Sequence, residues 1–95
     1  MAVVPTKHMK QLCEKLGPKY SIRMIDTECV IYRDFENGFD IEISGANTSS
    51  EKKLVTIFLW KDKCKIEKTV EQVPQLKIGD CVEELYYESL KLADQ

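Results

Sequence analysis

From Tyr20 to Ile43 the polarity of the chain alternates with a period of two, and this feature constrains the fold most. Successive side chains of a strand point to opposite faces, so an alternating segment forms a half-buried strand and cannot offer the single apolar stripe of a helix. Tyr20, Ile22 and Met24 alternate with Ser21, Arg23 and Ile25, and a break at Asp26-Thr27-Glu28 leads into Cys29 to Phe35. Asn37-Gly38 then offers a tight hairpin turn into Phe39 to Ile43. A two-residue Asn37-Gly38 loop sets Glu36 opposite Phe39, Arg33 opposite Glu42 and Tyr32 opposite Ile43. With a three-residue first turn, Val30 and Tyr32 join Tyr20, Ile22, Met24, Phe39, Ile41 and Ile43 on the core face. Arg23, Arg33, Asp40 and Glu42 then share the open face, where cross-strand ion pairs account for them.

Helices flank this block. Met9, Leu12, Cys13 and Leu16 make an apolar stripe behind a capping Thr6, and Gly17-Pro18 stops the helix, which runs from about Lys7 to Leu16. Ser44 to Lys53 is a polar loop, expected to be the most mobile internal segment. Leu54 to Trp60 is apolar on both faces apart from Thr56, which suits an interior strand. Cys64 to Val70 reads as a lysine-rich edge strand that ends at Val73-Pro74. The second helix is expected over about Asp80 to Ala93, with Asp80 and Glu83 at capping-box spacing and Ser89 the weak point of its apolar stripe. The expectation is therefore one domain over residues 1–95. It is an α+β two-layer sandwich with an antiparallel meander of four or five strands and both helices on one face.

Composition narrows the function. Of 95 residues, 43% are hydrophobic and the formal net charge is -2, so there is material for one core but no global field to draw the chain to nucleic acid or anionic lipid. Neither a membrane span nor a secretory leader is expected, because no uncharged apolar run reaches ~18 residues and the start, Met1 to Pro5, is too short for an apolar leader core. Cys13, Cys29, Cys64 and Cys81 lie far apart with no CxxC pair, which points to a reducing cytoplasm and to buried thiols acting as small hydrophobes. His8, the single histidine, lies five residues from Cys13, a spacing that does not make a nucleophile and base; only a distant cysteine folded beside it would. Dinucleotide, phosphate-loop and zincin motifs are missing. The chain is therefore expected to be non-catalytic, with no metal and no cofactor.

Two surfaces remain as candidates. Phe58 and Trp60 share one face of the fourth strand and Val55, Ile57 and Leu59 the other; the aliphatic row is the better core. The aromatics then join Ile25, Ile31 and Phe35, with Arg33 and Glu42, on the open sheet face, a composition enriched at protein interfaces. The alternatives are that Pro74, Leu76 or Ile78 folds over this face, or that the aromatic row is the buried one. An apolar patch there would also suit a homodimer, with Arg23 and Arg33 meeting Asp40 or Glu42 of the other copy. The second surface is the acidic helix, with Asp80, Glu83, Glu84 and Glu88.

The order helix, three strands, helix, with Gly17-Pro18-Lys19-Tyr20 leading from helix to strand, resembles the double-stranded-RNA-binding domain over Leu12 to Ile43. That resemblance implies an RNA ligand held by a lysine cluster opening the final helix; here Asp80, Glu83 and Glu84 open it, so nucleic acid is not the expected partner. Size, composition and element order are also similar to small uncharacterised proteins of Gram-positive bacteria, their phages and mobile elements. In element order the chain is similar to a small anti-CRISPR protein that occupies a DNA-binding site with an acidic surface. This likeness implies a small regulator or inhibitor, and the expected function is a non-catalytic protein-interaction module with an unidentified protein partner.

Overall fold

Thr6 starts the first helix as its residue type dictates. In the computed structural model, which describes residues 4–25, 28–46 and 54–93, its hydroxyl accepts the Met9 N–H at 3.2 Å and so satisfies one of the donors a helix start leaves open. Helix α1 spans Lys7–Leu16 and ends at Gly17, whose φ of 122° no side-chain-bearing residue adopts readily and whose N–H bonds the Cys13 carbonyl. The apolar stripe faces inward: Met9 is fully buried, and Leu12, Cys13 and Leu16 pack against the core.

Strands β1 (Ser21–Ile25), β2 (Glu28–Asp34), β3 (Phe39–Ser44), β4 (Val55–Lys61) and β5 (Lys65–Val73) pair antiparallel in chain order, a five-stranded meander. Each connection joins neighbours, the arrangement that short turns favour. A 3₁₀ turn at Gln75–Lys77 leads directly into helix α2, Ile78–Ala93. The helix therefore begins before Asp80. Lys77 N–H bonds the Pro74 carbonyl at 2.8 Å, the turn runs on without a break, and Asp80 lies in the first helical turn instead of capping it.

The core lies between the helices and one sheet face. Across the strands, Ile22, Ile31, Ile43, Ile57 and Val70 form a continuous cross-strand row. Met9 of α1 and Ile78, Val82 and Leu85 of α2 close the core over this face. Val55, Ile57 and Leu59 are buried at 1% exposure or less, so the aliphatic row of β4 is the inner one, as its composition indicates. Ser89, the polar residue in the α2 stripe, is fully buried but satisfied: its hydroxyl donates to the Tyr86 carbonyl at 2.6 Å and accepts from Asn37 Nδ2 at 3.0 Å.

Strand β2 is turned over relative to the hairpin reading. Arg33 faces Ile41 and Tyr32 faces Glu42, one residue away from the register that a two-residue Asn37-Gly38 turn would impose. The connection is longer because side chains take over its backbone donors. Asp34 Oδ1 accepts the Glu36 N–H at 2.8 Å, Asn37 Oδ1 accepts the Phe39 N–H at 3.1 Å, and Phe35 N–H bonds the Phe39 carbonyl at 3.0 Å. Glu36 adopts φ 61° and Gly38 φ 91°. The first turn is shorter than expected, with Ile25 opposite Glu28, so the two one-residue slips cancel for β1 against β3 and reverse β2 alone. A one-residue slip moves every side chain to the other face. Cys29, Ile31 and Phe35 enter the core, and Val30 and Tyr32 leave it for the opposite side.

Of the polar segment after β3, Ser44 belongs to the strand and Ala46 is buried, while the mobility expected for the rest concerns residues 47–53, outside the described residues. Cys64 is exposed, so its thiol is not the buried hydrophobe the sequence suggested.

Candidate functional site: the sheet face opposite the helices

The pairing register assigns the outer face residue by residue. One row runs Ser21, Tyr32, Glu42, Phe58, Thr69; the next runs Asp34, Asp40, Trp60, Ile66. Among the described residues, α1, α2 and the 3₁₀ turn all lie on the other side, and neither Phe58 nor Trp60 contributes to the core cluster. Phe58 and Trp60 are half-buried, flanked by cross-strand neighbours, and Ile66 beside Trp60 is 43% exposed. Ile78 is buried in the core, Leu76 is 95% exposed and Pro74 is exposed, so the residues that sequence allowed as a cover do not provide one.

Of the residues expected on this face, Phe58, Trp60 and Glu42 are there. Ile31, Phe35 and Arg33 are not. Ile31 is fully buried in the core, and Arg33 points under α2, where its Nη1 donates to Tyr20 Oη at 3.3 Å and to Glu83 Oε1 at 3.2 Å. Tyr20, Phe35 and Tyr86 surround the guanidinium at 5.1 to 5.6 Å from their ring centroids, and Phe35 meets Tyr86 edge to face at 5.2 Å. This box offsets the burial of an arginine at 6% exposure on a core-facing position, although its Nε has no hydrogen-bond partner. Burial opposes its charge, but the hydrogen bonds to Tyr20 and Glu83 outweigh burial and hold its pKa above the ordinary arginine value. The cross-strand pairing of Arg33 with Glu42 is thereby excluded, and Arg33 cannot reach a second copy across the open face.

A residue pair that the sequence reading did not join sits at the centre of the face. Tyr32 Oη donates to Asp40 Oδ2 at 2.6 Å, and the Arg23 guanidinium lies 3.8 Å over the Tyr32 ring. Burial first, then the bond to Asp40 and its charge, push the Tyr32 phenol up to about 12. Asp40 is only 5% exposed and its other oxygen, Oδ1, has no partner. Its signal in the sequence is a carboxylate between Phe39 and Ile41 in an alternating strand; the tyrosine that holds it follows only from the true register.

The acidic surface of α2 is partly committed within the fold. Glu83 binds Arg33 at 3.2 Å and Glu88 binds Lys68 at 2.9 Å, while Asp80 and Glu84 are exposed. The bond to Glu88 raises the Lys68 pKa, against the smaller effect of burial. Hollows lined by described residues mark the surface. One of about 580 Å³ borders Arg33 and Glu83; one of about 570 Å³ lies between α1 and the 3₁₀ turn, where His8 Nε2 meets Gln75 Oε1 at 2.7 Å. One of about 340 Å³ lies beside Asp40. Among the described residues no group of three or more His, Cys, Asp or Glu side chains could hold a metal ion, and no helix is long and apolar enough to cross a membrane.

No protein-family model matches the chain, and no curated protein or solved structure matches it.

Proposed function

We propose that this chain is a non-catalytic protein-interaction module that docks a protein partner on the sheet face opposite its helices. The observation that carries the reading is the position of Phe58 and Trp60, partly exposed beside Ile66 on a face that no described helix covers. Large aromatics combine contact area with few rotatable bonds, which is why they dominate binding energetics where they are left at a surface. Asp40, Glu42 and Thr69 supply polar groups around them. Action as a small regulator or inhibitor of mobile-element origin is compatible with such a surface. Blocking a nucleic-acid site with α2 acids has less support, because Glu83 and Glu88 already bind Arg33 and Lys68. A cytoplasmic setting fits the four free cysteines.

The test is capture of partners on the immobilised chain at two ionic strengths, run in parallel with variants. Trp60→Ala is expected to weaken capture by about tenfold or more, with little effect of salt. Substituting Lys7, Lys10 and Lys15 together by Gln should leave it unchanged. Loss of capture in the lysine variant with Trp60→Ala silent, and steep weakening by salt, would replace this reading with RNA binding. Sedimentation of the chain alone separates a foreign partner from a second copy: a homodimer that dissociates on Trp60→Ala places the same face against itself.

A further inference from the structure

The open face ends, toward the β2–β3 and β4–β5 turns, in a hollow whose chemistry specifies part of the partner. The turns are tied together where Asp62 N–H bonds the Gly38 carbonyl at 2.8 Å. Asp34, Glu36, Asp40, Asp62 and Lys63 line the hollow, so four carboxylates face one ammonium. Three of those carboxylates are on exposed residues of the rim, but Asp40 is not: it is 5% exposed, and Tyr32 satisfies only Oδ2. A buried carboxylate oxygen without a hydrogen-bond partner is costly, and because Asp40 lines the acidic hollow an incoming cationic donor would match its charge. Lys63 makes no ion pair within 4.0 Å among the described residues, although it lines the same hollow.

A metal ion is not the guest that fits, because the acids do not converge as a ligand set. A guanidinium fits better. It delivers several planar N–H donors to carboxylates spread around a hollow, and it stacks on aromatic faces. Trp60 pairs with Asp40 across the strands but is not among the residues that line the hollow.

We propose that this hollow receives an arginine side chain of the protein partner, with the guanidinium donating to the rim carboxylates and to Asp40. The proposal rests on the open face being the docking surface and adds the chemistry of the residue that enters it. Lys63, which lines the same hollow, competes with the guest.

The probe is a short blocked peptide, acetyl-Gly-Arg-Gly-amide, with its citrulline counterpart as the uncharged control, titrated at millimolar concentration while the backbone amide resonances of the whole chain are followed. The arginine peptide should move Gly38, Asp40 and Asp62 saturably, and the citrulline peptide should not. Asp40→Asn should weaken this binding about tenfold, the scale of one charge-assisted hydrogen bond. Lys63→Ala should strengthen it. Because Asp40→Asn also disturbs Tyr32, Asp62→Asn on the exposed turn serves as a second variant, expected to weaken binding without loss of fold. Equal shifts with citrulline, shifts confined to Asp80 and Glu84, or binding unchanged in both folded variants would overturn the proposal. These outcomes are separable from the docking reading itself: partner capture that depends on Trp60 but not on Asp40 or Asp62 removes the arginine and leaves the face.

Discussion

Replacing Tyr32 by Phe removes one oxygen and leaves the ring that packs under Arg23. The lost contact is the 2.6 Å bond to Asp40, a carboxylate with 5% exposure whose other oxygen is already unpartnered. A hydrogen bond to a charged group contributes about 1.5–3 kcal/mol, so Tyr32→Phe should lower the unfolding free energy at neutral pH by about that amount. For a domain of this size roughly 4–8 °C of melting temperature accompanies each kcal/mol. Alkaline pH gives an independent reading of the same bond. The folded state holds the Tyr32 proton to about 12, against an ordinary value of 10.0, so above pH 10 the unfolded chain releases a proton that the native chain keeps. Stability from this group is therefore complete below pH 10 and is lost as pH rises toward 12, about 2–3 kcal/mol in total. Urea unfolding of both proteins across that window isolates it, because Tyr20, whose pKa is also raised by burial, is present in both. The Tyr32→Phe protein should lack the extra alkaline slope. Equal slopes, or a loss at neutral pH under ~0.5 kcal/mol, would show that Asp40 is not held by Tyr32.

Arg33 and Glu83 should respond asymmetrically to substitution. Arg33→Met removes a buried charge, lets an exposed Glu83 return to water and should change stability by less than about 1 kcal/mol, whereas Glu83→Ala leaves the guanidinium with Tyr20 alone and should destabilise by about 1–2 kcal/mol in chemical denaturation. Thr6→Ala should lower stability by about 1 kcal/mol and fray the start of α1, read by amide exchange of Met9. The exposed Lys68–Glu88 pair should contribute under ~1 kcal/mol, with the effect of Lys68→Ala vanishing in high salt.

How far the sequence alone carries depends on whether a contact is local. Thr6, the stripe from Met9 to Leu16 and Gly17 bound α1 completely, because caps and stops act within a few residues. The inner row of β4 was legible for a similar reason: Val55, Ile57 and Leu59 leave no better candidate for the core. β2 was misread because its parity depends on turn geometry. Asn-Gly is the common signature of a two-residue turn, yet here Asn37 bonds the Phe39 amide and Glu36 enters the left-handed region, which shifts the register by one. With that shift Arg33, Ile31 and Phe35 dropped out of the open face and Tyr32 joined Asp40 on it. The partner of Arg33 was not legible at all, since Glu83 lies 50 residues away and only the packing of α2 brings it near. Phe58 and Trp60 keep the outer face because the buried row of Val55, Ile57 and Leu59 fixes which way β4 faces.

The chain's one tryptophan provides the most direct test of the proposed docking face. With a fluorine-labelled tryptophan in place of Trp60, the protein gives a single fluorine resonance, whatever partner is added. The account predicts that adding a partner captured on the unmodified chain shifts or broadens this resonance, and that reversing the charges of Asp80 and Glu84 leaves the change intact. A complex that forms with the Trp60 resonance unmoved would place the partner elsewhere and contradict the assignment of this face.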